Sequence, residues 1–80
     1  MTHTILRLRD MRAKYPRARS SIYRDINDGL MVPPISLGAR CVGFPAYEVD
    51  AIIAARIAGR SDDDIRRLVA RLIADRRSAA

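Results

Sequence analysis

Eighty residues, 49% of them hydrophobic and 30% charged, suffice for one folded domain and leave no room for a second hydrophobic core. No apolar run approaches the ~20 residues of a bilayer crossing, and the N-terminus lacks a signal-peptide core; Cys41 as the one cysteine excludes an internal disulfide, and with His3 as the one histidine there is no metal-ligand cluster. Fifteen basic residues against nine acidic ones give a formal net charge of +6, so a soluble protein of the reducing cytoplasm with negatively charged partners is expected.

Taken in chain order, Ile5-Leu6-Arg7-Leu8-Arg9 alternates apolar and basic side chains, the pattern of a short half-buried strand or extended lead-in. Asp10 to Tyr15 reads as a brief helix with Leu8 and Met11 turned inward, stopped by Pro16, which cannot continue a helix and biases Tyr15 away from helical geometry. A second helix runs from Arg19 to Asp28 and is closed by Gly29 at the left-handed position. Ile22 and Ile26, four apart, mark its inner side, and Arg19, Ser20, Tyr23, Arg24 and Asn27 its outer side.

Beyond Gly29 the pattern changes. Pro33 and Pro34 hold the next segment extended. Ile35-Ser36-Leu37 and Cys41-Val42-Gly43-Phe44, set around Gly38-Ala39-Arg40, predict a compact hairpin with glycine supplying the turn. Pro45 is expected to open a helix reaching Ala58, with Val49, Ile52, Ile53 and Ile57 as its buried stripe and Gly59 as its stop. Ser61 followed by Asp62, Asp63 and Asp64 is a strong helix start, a hydroxyl cap and then acids against the positive end of the dipole. Ile65, Leu68, Val69, Leu72 and Ile73 give this last helix one apolar side, with Arg66, Arg67, Arg71 and Arg77 away from it and the final residues fraying.

Two short helices, a tight turn, a hairpin and two further helices describe a mainly α domain with a small β-hairpin wing, a winged helix-turn-helix over residues 1–60, extended by an amphipathic helix over 61–80. Charge supports that layout. Residues 1–29 hold seven basic and three acidic residues, whereas 30–60 and 61–80 are each close to balanced. All fifteen basic residues except Lys14 are arginines, whose planar fork suits bidentate contact to phosphate and guanine.

Four stretches carry a resemblance to a known family: Ile5-Leu6-Arg7-Leu8-Arg9-Asp10; Arg19 to Arg24; Ile26 to Leu30 with Pro33 to Gly38; and Val42-Gly43-Phe44 with Glu48 to Ala58. In this order and spacing the chain resembles the AlpA family of prophage regulatory proteins, relatives of MerR-type winged helices and phage excisionases. The resemblance implies a recognition helix at Arg19–Asp28 in the major groove of DNA, with a wing at Ile35–Phe44 beside it. It assigns DNA contacts to Arg19, Ser20, Ser21, Tyr23 and Arg24, with Arg40 on the wing. From the residues themselves, Asn27 is a further candidate for base edges, and Arg7 and Arg9 for flanking phosphates. Three positions depart from the family pattern. Ala18 stands where a serine or threonine cap is usual, Pro16 replaces a glycine in the turn, and Phe44 occupies a place often held by tryptophan.

The resemblance further implies a regulator of an integrated element, either an excisionase that acts as a recombination directionality factor or a transcriptional regulator of the integrase. Its expected partners are double-stranded DNA, at repeated sites in an attachment region or promoter, with integrase and further copies of the chain as candidates. Placement in the nucleoid-associated cytoplasm follows. No cofactor, metal or membrane partner is expected, and no enzyme: Glu48 and Asp50 lack an evident acid–base partner, and consecutive aspartates on a helix do not converge on one ion. A module that docks on protein without reading DNA stays open as the alternative. For the last helix, packing onto the core, pairing with the same helix of a second protomer and head-to-tail contact between copies along DNA all stay open.

Overall fold

The computed structural model describes residues 4–78, so His3 and the end of the tail expected to fray lie outside the described residues. In chain order it contains β1 (Ile5–Leu6), α1 (Leu8–Lys14), α2 (Arg19–Asn27), β2 (Ile35–Gly38), β3 (Cys41–Pro45), α3 (Ala46–Ile57) and α4 (Asp62–Asp75), followed by a 3-10 turn over Arg76–Ser78.

The alternation at Ile5–Arg9 yields to helix sooner than predicted. Met11 N–H donates to the Arg7 carbonyl at 2.9 Å, closing a first turn that brings Met11 to full burial. Strand β1 therefore keeps only Ile5 and Leu6, and Arg9 lies on α1 rather than on the wet face of a strand. After α1, Arg17 N–H reaches back to the Tyr15 carbonyl at 2.8 Å, a three-residue turn centred on Pro16 whose fixed φ suits it. At the far end of α2, Gly29 takes φ +77°. It lets Leu30 N–H donate to Asp25 O at 2.8 Å and Gly29 N–H to Ile26 O at 3.2 Å, the paired bonds that end a helix at a left-handed residue.

The sheet has three strands in the order β1-β3-β2, all antiparallel, where the sequence predicted a two-stranded hairpin. Leu6 pairs with Phe44 and Ile5 with Pro45, so the lead-in closes the inner edge of the hairpin and the Thr4 carbonyl accepts from Ala46 N–H at 2.7 Å. Pro45 consequently ends β3 and precedes α3 as its N-cap instead of opening the helix. At the tip, Gly38 pairs with Cys41, leaving Ala39 and Arg40 as the turn. Gly38 enters it at φ +134°, a conformation that favours glycine, as the sequence predicted, and Arg40 is left-handed as well, φ +58°, at a cost of about 1–2 kcal/mol for a residue with a Cβ. Leu37 is the extra residue of a bulge between Ser36 and Gly38.

Gly43 is required by space. A Cβ there would collide with the Ile5 Cγ2 methyl, sit 3.1 Å from Leu37 Cδ1 and 3.2 Å from the Leu6 carbonyl. Gly43→Ala is therefore expected to lever β1 off β3 and cost about 1–3 kcal/mol. Urea unfolding with hydrogen exchange at Leu6 checks this, and an unchanged midpoint would show β1 to be dispensable.

One core gathers every element: Met11, Ile22, Met31, Val32, Phe44, Val49, Ile52, Ile65, Val69 and Leu72 are all buried. Met31 and Val32 enter it from the segment before Pro33, with no regular structure around them. Helix α4 starts as predicted, with Ser61 Oγ accepting from Asp64 N–H at 3.2 Å, and Ile65, Val69 and Leu72 face the shared core. Two stripe residues do not. Ile57 is 82% exposed, because five residues at ~100° each place it ~140° around α3 from buried Ile52. Ile73 is 40% exposed at the margin of the α4 stripe. No helix among the described residues is long and apolar enough to cross a membrane. The architecture is a winged helix-turn-helix, α1 and α2 as the helix pair and β2–β3 as the wing, with α3 and α4 behind it.

Candidate nucleic-acid interface

Helix α2 buries Ile22 and Asp25 and half-buries Ile26, and these side chains hold it against the core. Arg19, Ser20, Tyr23, Arg24 and Asn27 are exposed and Ser21 is half-buried at the margin. From Arg19 to Arg24 the exposed arc spans ~140° of the helix, wide enough to present several side chains to one groove. Within it the Arg19 guanidinium lies over the Tyr23 ring, 5.8 Å from its centroid. The ring thus braces an arginine from the neighbouring turn.

The ion pairs sort the cations into two populations. Lys14 pairs with Asp50, tying α1 to α3. Arg17 holds Asp25 at 2.7 Å, and Arg76 grips Glu48. Arg56, Arg66 and Arg67 bind the aspartates that open α4. Arg7, Arg9, Arg19, Arg24 and Arg40 have no carboxylate within ion-pair distance among the described residues, and all five are exposed. Arg12 beside them is likewise exposed and without an ion pair among the described residues, as are Arg60, Arg71 and Arg77 further along the chain; the six around α1, α2 and the hairpin tip are free to meet phosphate without first breaking an internal pair.

Sequence reasoning missed part of the basic surface. An open groove of about 550 Å³ is lined by Arg9, Arg12, Ala13, Pro16, Arg17 and Ala18, where α1 hands over to α2. Arg12 Nε donates to the Arg17 carbonyl at 3.1 Å, which fixes its stem along the turn. The Arg17 guanidinium is pushed further toward its charged form, first by hydrogen bonding to the Tyr15 side chain and then by the Asp25 carboxylate. With alanine at the N-cap, no side chain caps α2, and its first-turn N–H groups open beside this groove. The signal for Arg12 and Arg17 was their position flanking the turn, which sequence spacing alone left undirected.

Two buried acids were also missed. Asp25 is 4% exposed and Glu48 fully buried, although charged residues at those helix positions look like solvated ones in sequence. Asp25 anchors the turn through Arg17 and so fixes where α2 starts. Glu48 has the partner that the sequence did not reveal, Arg76, and beside it burial followed by the neighbouring carboxylate pushes the Tyr47 phenol up. Arg66, predicted to lie on the outer side of α4, reaches across to the Asp28 carbonyl at 3.0 Å, placing a cation at the negative end of α2. Not all predicted site residues converge. Arg19 to Asn27 share one helix and Arg9 joins the groove at its start, whereas Arg40 stands apart at the hairpin tip and Arg7 precedes α1 as its N-cap.

The family described as Prophage CP4-57 regulatory protein (AlpA) matches residues 4–57, from the residue before β1 to the last residue of α3. No curated protein and no solved structure matches the chain.

Proposed function

The chain belongs to the AlpA family of prophage regulatory proteins, and on that premise we propose that it is a sequence-specific DNA-binding regulator of an integrated element, not an enzyme. The observation that supports this reading best is the set of exposed, unpaired arginines on and around α2, on the helix that the fold offers to a major groove. In this reading Arg19, Arg24 and Asn27 contact base edges, with Ser20, Ser21 and Tyr23 beside them. Arg9 and Arg12 hold phosphates at the α1–α2 turn, which the Arg17–Asp25 pair braces, and Arg7 reaches the flanking backbone. Arg40, kept in a left-handed turn that glycine would occupy at lower cost, contacts the backbone or minor groove from the wing. Residues 1–60 form the reading unit and α4 extends it.

The same reading assigns the protein to the control of integration, as a recombination directionality factor or as a regulator of the integrase gene in the bacterial cytoplasm. Selection of bound sequences from genomic DNA by the purified protein tests it. We expect a preferred sequence near an integrase gene, and we expect Arg24→Ala or Arg19→Ala to cost about 1–3 kcal/mol on that sequence at fixed salt, with relaxed preference. Sites inside the attachment region would assign the excisionase role, and sites at a promoter the transcriptional one. If no sequence is preferred and both substitutions leave binding unchanged, the DNA-reading assignment fails and a protein-docking module takes its place.

A further inference from the structure

We propose that two copies of this chain pair through α4, antiparallel, about a two-fold axis between Arg67 and Leu68. An open cleft of about 420 Å³ runs beside this helix, lined by Ala55, Arg60, Asp64, Arg67, Leu68 and Arg71. Asp64, Leu68, Arg71 and Asp75 recur at i, i+4, i+7 and i+11, so they form one stripe along α4. The stripe borders the face that Ile65, Val69 and Leu72 bury in the core: Leu68 packs at the core's edge, while Arg71 and Asp75 are exposed. It is also turned away from the recognition helix. Arg66 touches the end of α2, and Arg71, five residues on, lies ~140° around the helix from it.

Charge along this stripe is self-complementary under reversal. With the axis between Arg67 and Leu68, Asp64 faces Arg71 of the second copy, a contact that occurs twice as a two-fold interface demands, and Arg60, in the chain just before the helix, lies toward the Asp75 end of the second copy. Arg60, Arg71 and Asp75 have no ion-pair partner among the described residues, and Asp64 offers one oxygen to Arg67 at 3.2 Å and keeps the other. At the axis the half-buried Leu68, with Ala55 and the arginine stems, supplies the apolar contact. A parallel pairing would set like charge on like charge. Other occupants fit less well. DNA or an acidic peptide would satisfy Arg60 and Arg71 but would also place its negative charges against Asp64 and Asp75. The second copy answers both signs.

The pairing surface is α4 with Ala55 and Arg60 beside it, and it needs no DNA. Its consequence for DNA, two α2 helices related by a two-fold and hence inverted half-sites, rests on the function proposed above. Sedimentation velocity over a concentration series tests the interface itself. The wild-type chain is expected to show a reversible monomer–dimer equilibrium. Asp64→Arg and Arg71→Asp should each weaken it by at least about tenfold. The double substitution Asp64→Arg/Arg71→Asp should restore it, because each altered residue then faces its altered counterpart. Circular dichroism confirms that all variants fold, and their affinity for a duplex with a single half-site should match wild type, which separates failure of the interface from failure of DNA reading. A chain monomeric at every concentration, or a double variant no better than the single ones, overturns the proposal. So does a monomer whose Arg60 and Arg71 resonances move on adding a polyglutamate peptide or a DNA duplex, an outcome that would give the cleft to that ligand.

Discussion

Arg76→Ala is expected to bring the domain to the edge of unfolding, a loss of about 3–5 kcal/mol. A domain of this length holds on the order of 4–12 kcal/mol in total, so one side chain governs much of it. Glu48 is fully buried at the start of α3, and its carboxylate meets Arg76 through Nη2 at 2.6 Å and Nε at 3.0 and 3.2 Å. The same Nη2 donates to the Pro33 carbonyl at 2.8 Å. Three segments distant in sequence, the turn before the wing, α3 and the end of α4, thus converge on one guanidinium. Removing it leaves a carboxylate in the core with, among the described residues, the Tyr47 hydroxyl as its remaining side-chain donor, at 3.4 Å, and uncompensated burial of charge is costly. Urea unfolding measures the loss. The double substitution Glu48→Gln/Arg76→Met, which removes both charges and keeps most of the volume, should recover a substantial part of it, since the net worth of a buried pair is small compared with the cost of breaking it. A loss below about 1 kcal/mol for Arg76→Ala would mean that Glu48 finds another partner, and that α4 is not pinned here.

This contact also shows why some features were legible in the sequence and others were not. Helix ends were readable because their chemistry is local. Gly29, Gly59 and Ser61 act through bonds to residues within five positions, and the helices stop and start where those residues predict. The outer face of α2 was readable because Ile22 fixes the inward direction and period does the rest. What sequence spacing could not supply was pairing across the fold. Arg76 and Glu48 are twenty-eight residues apart, and neither carries a mark that distinguishes it from a solvated surface charge. Strand β1 paired with β3 for the same reason, through a non-local register that turned Leu8 over to α1. The burial of Met31 and Val32, in a segment with no period to read, follows from the path that Pro33 and Pro34 force on the chain. Among the candidate site residues, those on one helix were found together, and the groove formed by Arg9, Arg12 and Arg17 became visible only once the α1–α2 turn was in place.

Phe44→Ala is expected to cost about 3–5 kcal/mol, the penalty for emptying an aromatic site in a core that cannot collapse around it. Phe44 is fully buried on β3, opposite Leu6 in the sheet, and is the one phenylalanine in the chain. Because it sits at the root of the hairpin, it couples two properties, global stability and the fixed position of the wing beside the helix pair. Phe44→Trp should lose less, about 1–3 kcal/mol, by overfilling a core closed on all sides. Leu37 and Val42 on the same hairpin are 47% and 46% exposed, so their replacement by alanine should stay near about 0.5 kcal/mol. Thermal unfolding of the four variants checks the ranking. If Phe44→Ala lost no more than Val42→Ala, the hairpin would be an independent flap, Arg40 at its tip would have no defined place relative to α2, and the wing contact proposed for DNA would lose its structural basis. The expected gap between the two follows from one side chain serving both ends: a ring that fixes the core also fixes where the tip arginine can reach, which the proposed wing contact requires.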